Sequence, residues 1–254
     1  MPANALHIWP RKNFMLIALP NLDKSFTATL FLSEKGELSF DSLKTPNQLN
    51  TFFKEFFNDA FEMLPNLAQE FFENPTGQMV TIKSEAWSFE DKALVLGDAA
   101  HAIVPFFGQG MNCGFEDCRL LSEILESHLA TLNWENVFNE FFKKRKLDAD
   151  AIADLAQENF IEMRDKVADP NFLFQKSVER VLMKTFSETY FSRYQLVSFS
   201  NIPYSEARKI GVIEDQILTE LCENLTSPEK VDLKRAAHLI DTKLKPQLLK
   251  VMGV

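Results

Sequence analysis

Residues 97–118 read GDAAHAIVPFFGQGMNCGFEDC. The apolar run 93–96 precedes them and predicts a strand that ends just before Asp98. A loop with one proline and two glycines then opens into a helix that is predicted from Met111. Because loop amides and the positive end of a helix dipole favour negative charge, this pattern predicts a site for a polar, electron-rich ligand.

Several motifs resemble those of the FAD-dependent aromatic hydroxylases. The stretches that match, in the family's order, are HIWPR (7–11), GD (97–98), Pro105, GQGMN (108–112), NFIEMR (159–164) and Tyr194. The likeness extends from about His7 to Ala207, and the full set resembles the branch of the family that hydroxylates L-kynurenine. A sister hydroxylase acting on another aromatic acid is the alternative.

The resemblance implies which residues contact the flavin. They are Asp98, Pro105, Gly108, Gly110, Met111 and Asn112. Asp98 would accept hydrogen bonds from the ribityl hydroxyls, and the amides that open the helix would face the pyrimidine edge of the ring, where negative charge develops on reduction. From the residues alone, a turn cap at Asp98 and an ordinary helix start are alternatives.

The resemblance also implies a substrate side to this site. Asn159 and Tyr194 would contact the substrate carboxylate, and Met163 lies four residues after Asn159 on the same predicted helix face. The loop residues beside the expected flavin ring are Phe106, Phe107 and Gln109. Packing of the phenyl groups and a surface position for Asn159 are the alternatives.

No Gly-x-Gly-x-x-Gly fingerprint occurs in the chain, although the family carries one in its first half. The chain therefore resembles the C-terminal portion of a flavoenzyme, and the missing half or self-association is expected as its partner. A non-catalytic binding module descended from a flavoenzyme, a truncation and a split gene are alternatives.

The resemblance implies hydroxylation of L-kynurenine to 3-hydroxykynurenine with FAD, NADPH and dioxygen. No nucleophile–base constellation occurs in the sequence, so no catalytic residue is assigned. This is expected where the cofactor carries the chemistry.

Composition excludes several other classes of protein. The formal net charge of −9 argues against a nucleic-acid-binding protein. The basic run 143–146 is predicted to be the solvated face of a helix. Three cysteines without a CxxC pair indicate a reducing cytoplasm. No apolar stretch is long enough to suggest a membrane span.

The predicted fold is α+β, a partial aromatic-hydroxylase fold in which antiparallel strands of the substrate domain precede the flavin-motif strand and helix and a mostly helical C-terminal region. The strands predicted are 7–10, 14–20, 26–33 and 78–87, and the helices are 47–62 with a buried phenyl stripe, 111–130, 134–167, 171–186 and 227–250. An irregular stretch is expected at 198–203, and Ser227 is a candidate helix N-cap. The expected division is 1–90 in the substrate-binding sheet domain, 91–130 in the FAD-binding domain and 131–254 in the helical region.

Two polar features in the motif are interpreted as structural. His101 follows Asp98 by three residues, but no further ligand type occurs at suitable spacing, so no metal site is predicted. The adjacent Glu116 and Asp117 are interpreted as helix surface.

Overall fold

The computed structural model describes residues 1–252, which fall into two compact units. The sheet unit consists of Met1–Gln78 together with Ile161–Asp169. The helical unit consists of Met79–Phe160 and the chain from Pro170 onwards. The fold is α+β with a small antiparallel sheet and a mostly helical remainder, which confirms the predicted class.

A three-stranded meander forms the sheet of the first unit. Its strands are β1 (His7–Pro10), β2 (Met15–Pro20) and β3 (Phe26–Phe31). They pair antiparallel in the order β1-β2-β3, as predicted, with Leu16 opposite both Trp9 and Leu30. Residues 15–18 of β2 are all buried, so the middle strand is continuously apolar rather than alternating.

The helices of the sheet unit are α1 (Pro46–Phe56), α2 (Asn58–Phe61) and α3 (Leu67–Glu73). The prediction of one helix over 47–62 was wrong, because the backbone leaves the helix at Phe57, where φ is −139° and ψ is 43°. Phe57 is fully buried, and its ring lies 5.5 Å from that of Phe53 and 5.9 Å from that of Phe14. Burying a phenyl side chain stabilises by about 1.5–3 kcal/mol, which outweighs one continuous helical turn. The phenyl stripe is core, as predicted.

The helical unit begins with an irregular stretch and a short hairpin, β4 (Ser88–Phe89) and β5 (Ala93–Leu94). The predicted strand over 78–87 is wrong. The amides of Ile82 and Ser84 donate to the carbonyls of Ala102 and Ala100, so their partners belong to a helix end rather than to a strand.

The helices of this unit are α4 (Asp98–His101), α5 (Gly110–His128), α6 (Trp134–Ile161), α7 (Pro170–Thr185), α8 (Arg193–Phe199), α9 (Tyr204–Cys222), α10 (Leu233–Leu239) and α11 (Lys245–Met252). A π-helical segment, Glu162–Lys166, follows α6 and accounts for the rest of the predicted helix 134–167. Helix α9 was not predicted, and α8 covers the first two residues of the stretch expected to be irregular.

The predicted helix 227–250 starts later than expected. Pro228–Lys230 forms a 3₁₀ turn after Ser227, whose side chain does not cap it. Asp232 caps α10 instead, since its Oδ1 accepts the amides of Lys234 and Arg235, both at 3.0 Å. Serine and aspartate are both favourable N-cap residues, so residue type alone did not distinguish Ser227 from Asp232 and the prediction of Ser227 was wrong.

Two apolar clusters anchor the helical unit. One contains Phe107 and Cys113 together with residues of α6–α11, and the other contains Trp87, Ala100 and residues of α5 and α6. Ala100 packs in one cluster and Phe107 and Cys113 in the other, so packing holds both parts of the stretch 97–118 in place. Within residues 1–252, no helix combines the length and the apolar character that a membrane span requires.

Candidate functional site

A pocket of about 440 Å³ lies between the start of α4, the loop that follows it and the first turns of α5. Its lining residues are Gly97, Asp98, Ile103, Pro105, Gly108, Gly110, Met111 and Gly114. Five of the six residues expected to contact a flavin are therefore brought together at one surface, and the sixth, Asn112, follows directly in α5.

Two glycines shape this pocket through their backbone. Gly97 and Gly108 have φ values of 60° and 65°, which favour glycine. A Cβ built on either residue would meet no atom within 4 Å, so open space adjoins the backbone at both positions. A Cβ on Gly114 would lie 4.0 Å from the Cα of Gly97, because α5 passes close to the strand end. A planar or chain-like ligand can approach this backbone closely.

The amino end of α5 faces the same pocket. Gln109 precedes the helix, but its side chain makes no capping hydrogen bond to it. Gly110 and Met111 open the helix and line the pocket, and Met111 is 71% exposed. The first amides of a 19-residue helix therefore supply donors and a positive dipole end to whatever binds there.

Asp98 is the acidic residue of the pocket rim. It begins α4 and is exposed, so its carboxylate is accessible to a ligand. A carboxylate accepts hydrogen bonds from sugar-like hydroxyls. The combination of a carboxylate, open glycine backbone and helix amides suits a ligand with both hydroxyl groups and an electron-rich edge.

Four of the expected substrate residues surround the 3₁₀ turn Pro105–Phe107. The Phe106 ring lies 4.6 Å from that of Phe160, and the Asn159 amide donates to the Phe106 carbonyl at 2.7 Å. The ring of Phe107 stacks on that of Tyr194 at 5.8 Å. Tyr194 is 54% exposed, which leaves its hydroxyl end accessible.

The other two expected substrate residues have different surroundings. Gln109 is buried, and its Oε1 accepts from Asn112 at 3.0 Å and from the Tyr204 hydroxyl at 3.1 Å. That oxygen holds the loop together. Met163 lies in the π-helical segment of the sheet unit, whereas Asn159 belongs to the helical unit.

A buried charged network lies behind the pocket, and sequence reasoning missed it. Asp117 is fully buried, and its Oδ2 accepts the Gly97 amide at 2.8 Å and the His101 Nε2–H at 2.6 Å. Its Oδ1 accepts Arg145 Nε at 2.6 Å. Arg145 is 2% exposed and also donates to the Cys113 carbonyl at 3.1 Å. The interpretation of Asp117 as helix surface and of the whole basic run as solvated is therefore wrong.

A signal for this network was present in the spacing. Asp117 lies between Cys113 and Ile124 on the buried face of α5, and Arg145 lies between Phe141 and Ala149 on the buried face of α6. Charged residues at apolar helix positions require a partner, since an unpaired buried charge is strongly unfavourable. Opposite charges on the apolar faces of two neighbouring helices therefore indicate an ion pair.

The network also sets the charge of its members. Burial lowers the pKa of His101, but hydrogen bonds to Asp117 and Cys113 raise it by more, and the resulting pKa is about 9. Burial raises the pKa of Asp117, but the hydrogen bonds from His101, Arg145 and Gly97 bring it below its ordinary value. At neutral pH the pair is an imidazolium and a carboxylate.

His101, Cys113 and Asp117 place ligand-type atoms within 4.8 Å of one another. The prediction that no further metal-ligand type lies near His101 was therefore wrong. Cys113 and Asp117 are four residues apart on α5, so both lie on the helix face that meets His101. However, Arg145 donates to Asp117 and also to Cys113 Sγ at 2.9 Å. A guanidinium among the candidate ligands makes this cluster unsuited to a metal cation.

The comparisons with known proteins agree with this geometry. Residues 67–156 match a family model described as an FAD binding domain, and this range contains the pocket and the buried network. The chain is 55% identical to a kynurenine 3-monooxygenase of Myxococcus xanthus over 97% of this chain and 52% of that protein. Proteins of the same name from Cytophaga hutchinsonii and Dictyostelium discoideum are 51% and 47% identical over 85% and 93% of this chain, and 48% and 54% of their own lengths.

These matches cover nearly all of the chain, whereas the chain spans about half the length of the curated relatives it matches. The motifs that suggested a flavin-dependent aromatic hydroxylase lie within the matched region. The chain is therefore similar, over about half of their length, to proteins named kynurenine 3-monooxygenase, and its residues 67–156 match an FAD binding domain.

Proposed function

We propose that this chain binds FAD in the pocket between α4 and α5 and forms part of an NADPH-dependent enzyme that hydroxylates L-kynurenine to 3-hydroxykynurenine. The pocket itself is the main support, because it is lined by five of the six residues that the resemblance assigns to the flavin. The match of residues 67–156 to an FAD binding domain supports the same cofactor.

The residues of the pocket fit the polar parts of a flavin. Asp98 would accept hydrogen bonds from the ribityl hydroxyls, and the amides of Met111 and Asn112 would donate to the pyrimidine edge of the ring. The open backbone at Gly97 and Gly108 admits a flat ring without steric conflict. The helix dipole of α5 stabilises negative charge at that edge without a titrating group.

The aromatic turn beside the pocket is the proposed substrate side. Phe106 and Phe107 are themselves buried, so the apolar surface on this side is the half-exposed ring of Tyr194, which stacks on Phe107. Asn159 and Tyr194 would donate hydrogen bonds to the substrate carboxylate. A bound flavin would supply hydride acceptance from NADPH and oxygen transfer to the ring. The side chains of this turn position the substrate and exclude water.

The proposal also includes a division into domains. Residues 1–90 belong to the substrate-binding sheet domain, 91–130 to the FAD-binding domain and 131–254 to the helical region. The half of the relatives' length that this chain does not match would supply further cofactor contacts, and self-association is the alternative partner. A non-catalytic module that retains the pocket is the other outcome that the titration below distinguishes.

Titration of the full chain with FAD, followed by flavin absorbance and fluorescence with and without L-kynurenine, tests this proposal. Asp98→Asn should weaken FAD binding by about 10-fold, since a hydrogen bond to a charged group contributes roughly 1.5–3 kcal/mol. The matched control is Asp91→Asn, which changes an exposed carboxylate outside the pocket.

Two results would separate the candidates. FAD binding that responds to L-kynurenine supports the hydroxylase, and FAD binding that ignores L-kynurenine and other aromatic acids supports the non-catalytic module. Absence of FAD binding by the chain, also after combination with the complementary half of the Myxococcus xanthus relative, contradicts the proposal.

A further inference from the structure

The carboxylate of Asp117 connects its own helix to α4 and to α6. Its oxygens accept the backbone amide of Gly97, which directly precedes α4, the imidazole of His101 at the end of α4 and the guanidinium of Arg145 from α6. Asp117 itself belongs to α5. One fully buried residue therefore joins the elements that meet at the pocket.

The same network continues to the far side of the pocket. The guanidinium of Arg145 lies 5.8 Å from the centre of the Tyr204 ring. The Tyr204 hydroxyl donates to Gln109, the residue that precedes α5, and Gln109 accepts from Asn112 as well. The rim at Gly97 and the amino end of α5 are thus held by one connected set of polar contacts.

Asp98 needs such an anchor because packing does not orient it. Its side chain is exposed, and the residue before it, Gly97, has a φ of 60° and a ψ of −143°, a backbone conformation open to glycine. A glycine has more conformational freedom than other residues, so the direction of the chain at Asp98 depends on what holds Gly97. Its carbonyl accepts the amides of Ala100 and His101, both at 2.9 Å, and its amide donates to Asp117, which also accepts from the His101 side chain.

We propose that Asp117 is a positioning residue for the pocket, which fixes the Gly97 amide and thereby aims the Asp98 carboxylate at the ligand. The identity of the ligand as FAD rests on the proposed function. The anchoring of the pocket rim by Asp117 does not, because it is a property of the chain without ligand.

The first test measures hydrogen exchange of the ligand-free full chain. Asp117→Asn keeps the side-chain volume but removes the charge and one acceptor oxygen. Amides of residues 97–101 should exchange at least about 10-fold faster than in the parent, because local opening becomes easier when a hydrogen bond to a charged group is lost. Glu116→Gln is the matched control, because the neighbouring carboxylate is partly exposed and pairs with Arg119, and it should leave this segment unchanged.

Helix α9, which belongs to the same unit as Asp117 and does not line the pocket, serves as an internal gauge in that experiment. If exchange accelerates equally across residues 210–222 and 97–101, Asp117 has only a general stabilising role and the proposal is wrong. Unchanged exchange at residues 97–101 overturns it as well. Asp117→Glu provides a second variant should Asp117→Asn not fold, since it retains the buried charge and displaces the carboxylate by one methylene; it too should accelerate exchange at residues 97–101.

The second test is a double-mutant cycle on FAD affinity. Asp117→Asn should weaken binding by about 10-fold in the parent but by less than about twofold in an Asp98→Asn background, because Asp117 then has no carboxylate to aim. Equal losses in both backgrounds contradict the positioning role. A parent chain that binds no FAD counts against the proposed function alone, and the exchange experiment then decides whether Asp117 anchors the rim.

Discussion

His101 is a buried histidine whose neighbours favour its charged form. It is 3% exposed and its ring lies 5.1 Å from that of Trp87. Burial lowers its pKa, yet the hydrogen bonds with Asp117 and Cys113 prevail and raise the pKa to about 9. An unfolded histidine titrates near 6.5, so the folded pKa is the higher one. The stabilisation is therefore complete below pH 6.5 and is lost as the pH rises through about 9.

We expect the free energy of unfolding of the chain to fall between pH 6.5 and 9 by on the order of 3 kcal/mol from this residue. Urea unfolding at several pH values measures the fall. His101→Gln retains a hydrogen-bond donor without the titrating charge, so its free energy of unfolding should vary less over this range. Equal pH dependence in the two proteins would contradict the assignment.

At the same scale, Asp117 and Arg145 show where residue type misleads. An acidic pair on a helix and a run of four basic residues both suggest solvated surface, and three of the four basic residues are indeed not buried. The fourth, Arg145, is buried because α6 turns it towards Asp117, 28 residues away in sequence. Helical periodicity predicts which face is buried, but not which face of which helix it meets.

Helix α10 is the element where two candidate caps were close in sequence. Asp232 accepts two amides of the first turn, whereas Ser227 donates its hydroxyl to the Glu229 carboxylate and caps no α-helix. Asp232→Ala should therefore lower the free energy of unfolding by about 1 kcal/mol. Ser227→Ala, the matched control, should change it by less than about 0.5 kcal/mol because this exposed site contributes little.

Thermal or urea unfolding of the two variants measures the difference. A larger fall in the free energy of unfolding for Ser227→Ala than for Asp232→Ala would mean that Ser227 caps the helix, as the sequence predicted. Helix α1 has a cap that is entirely local. Thr45 and Pro46 begin the helix, and the capping box of Thr45 with Gln48 involves only residues of its own first turn.

Each of the two units of the whole molecule has its own apolar core. In the sheet unit, Phe53 is 2% exposed within a phenylalanine-rich cluster. In the helical unit, Ile152 is fully buried in the cluster that also contains Phe107 and Cys113. Phe53→Ala should cost about 3–5 kcal/mol and Ile152→Ala about 2–5 kcal/mol.

We expect these losses to be confined to the unit that carries the substitution. Hydrogen exchange followed by peptide should show faster exchange over residues 1–78 in Phe53→Ala and over 79–160 in Ile152→Ala. Acceleration throughout the chain in both variants would mean that the two units unfold as one cooperative structure.

The sequence by itself determined the β-meander and, to within one residue, the start of α5 after its glycine-bearing loop, although it did not predict the short helix α4 at Asp98–His101. Turn residues, glycine positions and helix signals act within a few residues, so they can be recognised locally. Five residues predicted for the flavin from that local motif do line one pocket.

Only the tertiary structure decided the break of α1 at Phe57, the stacking of Tyr194 on Phe107 and the burial of Asp117 with Arg145. These features depend on contacts between residues that are distant in sequence. The free energy of such contacts comes from burial and from charge pairing, and it exceeds the local preference for a continuous helix. The periodicity of the sequence does not show which residue the partner is. The pocket was therefore predictable from local sequence, whereas the network that holds it required the fold.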